Sequence, residues 1–216
     1  MGEPGGLSSD QLRALDRLSG GVALRGFYLA GGTAIASHLH HRRSLDLDFF
    51  SVGSFADFDV VKTEVRVAFD EVTVVGESTV AIRLLCDQVP IDFVQYPYPT
   101  IEPLGKGPAG VGLASLLDLA TMKLAAISKR GLRRDFWDLF AIGRNGIALQ
   151  QSGAAYVRRF GVAEADLYHV LRALTYFDDA EKDPVLTAGL DDATWAEIKA
   201  FFRHEAPQLV GASPRR

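Results

Sequence analysis

The sequence predicts an α/β (α+β) fold with a mixed sheet, followed by a C-terminal helical lobe. Three observations predict it. Up to Tyr96, apolar runs of strand length alternate with segments of helical period. A Pro- and Gly-rich stretch, YPYPTIEPLGKGPAG, then interrupts the pattern. Beyond it, every apolar stripe recurs at helical spacing.

Taken in order, residues 1–7 have the composition of a frayed end, and Ser8 or Ser9 caps a first helix that runs through Leu18. Phe27–Ala30 is uniformly apolar, the mark of a short buried strand spanning 26–30. Gly31 and Gly32 supply a tight turn with positive φ, and Thr33 is the expected N-cap of a helix over 33–40. A strand over 45–50 and a helix over 55–69 follow. Three strand-like runs come next, Glu71–Val75, Thr79–Cys86 and Val89–Tyr96. Asp87-Gln88 joins the last two as a hairpin turn, although it lacks the glycine of the strongest hairpin signals. No regular structure is expected in the Pro/Gly stretch. Helices are expected over 113–129, 133–143, 152–160, 164–178 and 192–203, with a disordered GASPRR end. The resulting division is an α/β core over 1–99 and a helical lobe over 100–216, forming one compact unit.

Bulk properties narrow the class. A chain of 216 residues with 48% hydrophobic and 23% charged residues is long enough for one good-sized core and is ordinary for a globular protein. No apolar run approaches the roughly 20 residues of a membrane-spanning helix. MGEPGGLSSD lacks the basic and apolar regions of a secretory signal, and Cys86, the single cysteine, excludes an intrachain disulfide. The expected location is cytoplasmic. The net charge of −4 gives no warrant for nucleic-acid binding by itself, but the basic residues are clustered. Lys129, Arg130, Arg133 and Arg134 form one group, His40 to Arg43 a second, and Arg158-Arg159 a third.

The densest chemical signal lies between Phe27 and Ser51. A glycine turn opening onto a helix N-terminus presents N–H groups and the positive end of a dipole, which suits a triphosphate. Asp46 and Asp48 are two apart, so on a strand both carboxylates share one face while Leu47 and Phe49 point into a core. Paired carboxylates suit Mg²⁺, which takes one or two protein carboxylates together with substrate phosphates. Each part alone is ordinary: most GG-T sequences are turns, and most DxD pairs are solvated strand edges. An EF-hand is excluded by Phe50, which stands where a further oxygen ligand is required. His38, His40, His41 and His169 do not suggest zinc, since no cysteine accompanies them and the adjacent pair cannot share a helix face.

The helical part carries two charges on apolar faces. Leu116, Ala120, Leu124 and Ile127 make a stripe from which Lys123 projects, so its ammonium must snorkel or meet an anion. Asp135 lies on the apolar face of the following helix, near an N-terminus that favours it, with Asp138 placed to share a partner.

The motif GGT, followed by His41-Arg42-x-Ser44-x-Asp46-x-Asp48-Phe49-Phe50, resembles the AbiEii/AbiGii-type nucleotidyltransferases, a branch of the polymerase-β-like superfamily. IDFVQYPYP (91–99), MKLAAI (122–127), RRDFWDL (133–139) and ALTYFDDAEKDP (173–184) continue the resemblance, which covers roughly 26–202. Members of that family are toxin components of bacterial toxin–antitoxin and phage-defence systems. The resemblance implies Mg²⁺, with Mn²⁺ as the alternative ion, held by Asp46 and Asp48. It also implies a nucleoside triphosphate whose phosphates meet Gly31, Gly32, Thr33, Arg42 and Ser44. Lys123 and Asp135 become active-site residues, with a substrate phosphate as the anion of Lys123. The third carboxylate of the superfamily, a general base or metal ligand on a neighbouring strand, matches Asp92, with Asp135 as the competitor. The implied acceptor is an RNA 3′ end, with tRNA leading, and a cognate antitoxin is the implied protein partner. Two alternatives stand beside this. One is transfer to a protein or an aminoglycoside-like small molecule; the other is a catalytically idle binding module, which the presence of both Asp46 and Asp48 disfavours.

Overall fold

A computed structural model describes residues 6–21, 24–51, 58–183 and 187–209. The chain divides into two compact units, Met1–Ser115 and Leu116–Arg216. The expected GASPRR tail and the start of the helix expected at 55 lie outside the described residues.

The first unit contains α1 (Ser9–Leu18), β1 (Phe27–Ala30), α2 (Gly31–Leu39), β2 (Leu47–Ser51) and α3 (Phe58–Ala68). It continues with β3 (Val72–Glu77), β4 (Ala81–Cys86), β5 (Val89–Val94), β6 (Gly105–Lys106) and β7 (Gly112–Leu113). The seven strands form one mixed sheet in the order β3-β4-β5-β2-β1-β7-β6, with β2/β5 and β1/β7 parallel. β6 and β7 correct the expectation of wholly irregular chain after Tyr96. They extend the sheet beyond β1, within the unit that ends at Ser115.

Period-two alternation makes the core face of this sheet. Ile82, Phe93, Phe49 and Leu29 are register partners strand by strand, and all four are fully buried. Phe93 stacks on Phe49 at 5.3 Å between ring centroids and meets Phe27 edge-on at 5.1 Å. The opposite face of the same strands carries Arg83, Asp92 and Asp48. One register therefore fixes both the core and the polar row. The β4–β5 hairpin turns on Asp87 (φ 44°) and Gln88 (φ 70°) without a glycine. Asp87 offsets that backbone cost through its carboxylate, which accepts the Glu71 N–H at 2.8 Å and pairs with Arg17 at 2.6 Å. α1 starts in a capping box, with Ser8 accepting from Gln11 N–H and the Gln11 side chain accepting from Ser8 N–H.

The second unit is helical: α4 (Leu116–Lys129), α5 (Arg133–Arg144), α6 (Leu149–Phe160), α7 (Leu167–Thr175), α8 (Asp178–Glu181) and α9 (Asp192–Glu205). The single helix expected over 164–178 is instead a 3₁₀ turn, α7 and α8, broken where Tyr176 adopts extended backbone (φ −102°, ψ 112°). Gly131, at φ 53°, ends α4 in the left-handed conformation that favours glycine. Phe136 is the hub of the core, with Phe177, Trp195 and Phe202 rings at 5.3, 5.9 and 5.4 Å. No helix among the described residues is long and apolar enough to cross a membrane.

Candidate active site

The first unit builds a polar row across three strands, which ends against β1. Arg83 on β4 is the register partner of Asp92 on β5, Asp92 of Asp48 on β2, and Asp48 of Ala30 at the end of β1. Neighbouring strands lie about 4.8 Å apart, so the two carboxylates stand side by side on one face. Gly31 follows Ala30 at φ 63°, and a Cβ there would meet Asp48 Cγ at 2.7 Å and Asp48 Cβ at 2.8 Å. Gly31 is thus required twice, for its backbone angle and for the close approach of Asp48. Gly32 does not take positive φ. Its bare Cα admits Arg42 instead: a Cβ would meet the guanidinium carbon at 3.4 Å and Ser44 Oγ at 3.1 Å.

Thr33 corrects the expectation of an N-cap. α2 begins at Gly31, in the left-handed conformation, with Ala30 as its cap residue, so the helix starts before Thr33. Thr33, 1% exposed, donates its hydroxyl to the Asp46 carbonyl. Gln11 of α1, buried at 2%, donates to the Ser44 carbonyl at 3.1 Å and the Asp46 carbonyl at 3.4 Å. Ser44 Oγ donates to Asp46 Oδ1 at 3.0 Å, and Arg42, also buried, donates to the Arg43 carbonyl at 2.8 Å. Asp46 is therefore an exposed carboxylate on a backbone pinned from two sides, one residue before β2 begins. His38 is engaged with the Ala114 carbonyl at 2.9 Å.

Arg83 is the residue that sequence reasoning missed. Its Nε donates to Asp92 Oδ1 at 2.9 Å and Oδ2 at 3.1 Å, and its terminal nitrogen to Oδ2 at 2.7 Å. The hydrogen bond and charge of Asp92 hold its guanidinium above the ordinary arginine range, against a small desolvation cost, and Asp46 and Asp48 add to the effect. The signal was available: a two-residue turn at Asp87-Gln88 fixes the hairpin register, and counting outward pairs Arg83 with Asp92.

Asp48 and Asp92 adjacent, with Asp46 two residues earlier, fit an ion that Mg²⁺-like chemistry would hold through one or two carboxylates and substrate oxygens. Among the described residues no three His, Cys, Asp or Glu side chains form a cage that could hold a metal. The donor set suits an ion completed by its substrate.

In the second unit the other two expected site residues meet each other. Lys123 Nζ lies 2.8 Å from Asp135 Oδ1 and 2.7 Å from Asp138 Oδ2, with both carboxylates fully buried. The anion that the apolar stripe required is in the chain itself, and Asp138 shares it. Burial alone would lower the Lys123 ammonium, but Asp138 and Asp135 outweigh it and hold it above the ordinary lysine range. Burial likewise pushes the Asp135 carboxyl up, yet Lys123 and then Arg130 bring it below the ordinary range. Arg130 grips Asp135 through Nε at 2.9 Å and a terminal nitrogen at 3.0 Å. Arg133 donates to the Ala180 carbonyl at 3.0 Å and lies over Trp195 at 5.3 Å. The basic group at the α4–α5 junction is therefore not a uniformly solvated cluster. Of the third group, Arg158 is exposed, whereas Arg159 is buried and pairs with Asp118 at 2.9 Å.

A mixed sheet bearing side-by-side carboxylates on its central strands, with a glycine-led helix abutting them, defines a nucleotidyltransferase of the polymerase-β-like fold. The family model described as nucleotidyl transferase AbiEii toxin, Type IV TA system, matches residues 13–210, and the chain belongs to that family. A protein of Aquifex aeolicus is 28% identical over 208 residues, covering 94% of this chain and 98% of that one. The fold is similar to the nucleotidyltransferase toxin MenT4 of Mycobacterium tuberculosis, with a TM-score of 0.61, 19% identity, and 95% and 87% of the two chains covered. It is also similar to the antibiotic-resistance factor ANT(2'')-Ia, with a TM-score of 0.55, 13% identity, and 76% and 97% coverage.

Proposed function

We propose that this nucleotidyltransferase is a Mg²⁺-dependent toxin that moves a nucleoside monophosphate from a triphosphate to an RNA 3′ end, with tRNA as the leading acceptor. The observation that carries the reading is the adjacency of Asp48 and Asp92 beside Gly31, with Asp46 pinned next to them. Asp46, Asp48 and Asp92 would hold the ion. Bound there, Mg²⁺ would polarise the α-phosphate and offset charge on the leaving pyrophosphate. Gly31, Gly32 and Thr33 belong to the first turn of α2, whose N–H groups and dipole favour the anionic phosphates, with Arg42 and Ser44 beside Gly32. Catalysis then rests on positioning and charge, since no covalent enzyme intermediate is needed.

Lys123 and Asp135 enter on the family resemblance. Their mutual ion pair supports a charged ammonium and an ionised carboxylate at neutral pH, the states that phosphate binding and proton acceptance require. The Type IV toxin–antitoxin family supports an antitoxin partner, and the cytoplasm is where RNA, triphosphate and antitoxin would meet. The test is incubation of the purified protein with each labelled triphosphate, Mg²⁺ and total cellular RNA. Label at tRNA 3′ ends is expected. Label on protein, or only on an added aminoglycoside, would replace the RNA reading with transfer to that acceptor class.

A further inference from the structure

Arg83 has no part in the reading above, yet it grips the carboxylate that would complete the metal site. Both oxygens of Asp92 accept from its fork, at 2.7–3.1 Å. The side chain is 63% exposed while Asp92 is 14% exposed, so the guanidinium comes to Asp92 from the solvent side and can leave without opening the core. Asp92, which Arg83 grips, is the register partner of Asp48, so the guanidinium stands at the end of a row that holds two adjacent carboxylates. We propose that Arg83 is a resident counter-ion that competes with a divalent cation for Asp92. The inference rests on the assignment of Asp46, Asp48 and Asp92 to the metal.

Like charges decide the sign of the effect. Two carboxylates side by side repel each other, and Arg83 relieves that repulsion when no ion is bound. A divalent ion brought to Asp92 loses some of the carboxylate charge to the guanidinium and is itself repelled by it. Without Arg83 the ion meets the full charge of Asp92, no longer shared with a guanidinium. Metal binding should then tighten. A pure orienting role predicts the reverse, because a loosened Asp92 would bind metal more weakly.

The measurement is nucleotide-free Mn²⁺ binding, followed by electron paramagnetic resonance of the unbound ion. Arg83→Gln is expected to bind Mn²⁺ at least about tenfold more tightly than wild type, and Arg83→Lys to stay within about threefold of it, because charge and not fork geometry sets the competition. The site on an exposed face of β4 makes misfolding easy to check by circular dichroism and Tm, and Arg83→Lys provides a second, milder variant. Equal or weaker binding by Arg83→Gln would overturn the inference while leaving the metal assignment standing. Mn²⁺ binding that is unaltered by Asp48→Asn would show that the metal lies elsewhere, and both readings would fall.

Discussion

Asp48 and Asp92 are direct register partners across the parallel β2–β5 pair, and a Cβ at Gly31 would intrude on Asp48. Asp48→Asn and Asp46→Asn should each reduce transfer far below a tenth of wild type at saturating Mg²⁺. The fold should persist, with Tm unchanged or slightly raised, since one of several neighbouring negative charges is lost. A tenfold loss is only about 1.4 kcal/mol of barrier, less than the removal of a metal ligand should cost. Transfer above that level in either variant would mean that another group holds the ion.

Gly31→Ala separates backbone strain from the geometry of the site. The left-handed angle alone costs an L-residue about 1–2 kcal/mol. Gly26→Ala is the control: it shares positive φ (78°) but a Cβ there meets nothing within 4 Å. Both variants should lower Tm by a few degrees, and only Gly31→Ala, which displaces the Asp48 carboxylate, should lose transfer. Equal transfer by the two would detach Gly31 from the chemistry.

The polar row shows how much of the site was legible in the sequence. Asp48 was readable because strand period two sets it opposite Leu47 and Phe49, which the same period buries, whereas Asp46 falls one residue before the strand. The local geometry of the glycines was not. Thr33 looks like an N-cap in sequence, but the helix starts two residues earlier, and the hydroxyl serves the Asp46 backbone instead. Gln11 acts on a loop distant in sequence, a pairing that follows from tertiary packing and not from local pattern, whereas the Arg83–Asp92 pair follows from the register of one hairpin. Lys123 and Asp135 were each flagged as charges on apolar faces. That each is the partner of the other becomes visible only when α4 and α5 are placed together.

Lys123→Met should destabilise the protein by about 3–5 kcal/mol, because it leaves Asp135 and Asp138 buried without the ammonium between them. Urea unfolding measures this directly. A change below about 1 kcal/mol would mean that water reaches the carboxylates and the pair is not structural. Loss of activity in Lys123→Met therefore identifies a phosphate ligand only if the variant is still folded under the assay conditions.

The same cluster sets a pH dependence with a definite sign. The Asp135 carboxyl is held below its ordinary value, so its contribution is complete above about pH 4 and is lost as pH falls through the depressed folded value. The Lys123 ammonium is held above its ordinary value, so its contribution is complete below about pH 10.4 and is lost as pH rises through the folded value. Neither titrates between. Urea midpoints should be flat around neutrality from this cluster and fall on the acid side. Asp135→Asn should be less stable at pH 7 yet lose less between pH 5 and pH 2. An equally steep acid limb in that variant would assign acid sensitivity to other carboxylates.

RNA binding has its physical basis in the basic α4–α5 junction on a chain of net charge −4. The structure divides the work within that group. Arg130 is committed to Asp135, and Arg133 to the Ala180 carbonyl and the Trp195 ring, so replacing either would disturb packing together with charge. Lys129 is exposed and Arg134 half-buried in the first turn of α5. Lys129→Gln with Arg134→Gln should therefore leave Tm nearly unchanged and lower acceptor affinity. Phosphate contacts release counterions, so each lost contact should also reduce the salt slope by about one. Triphosphate affinity should stay as in wild type. If the double variant binds and modifies RNA like wild type from low to high salt, these two charges are solvated helix ends. The polyanion would then have to be recognised by another surface, or the acceptor would not be a polyanion.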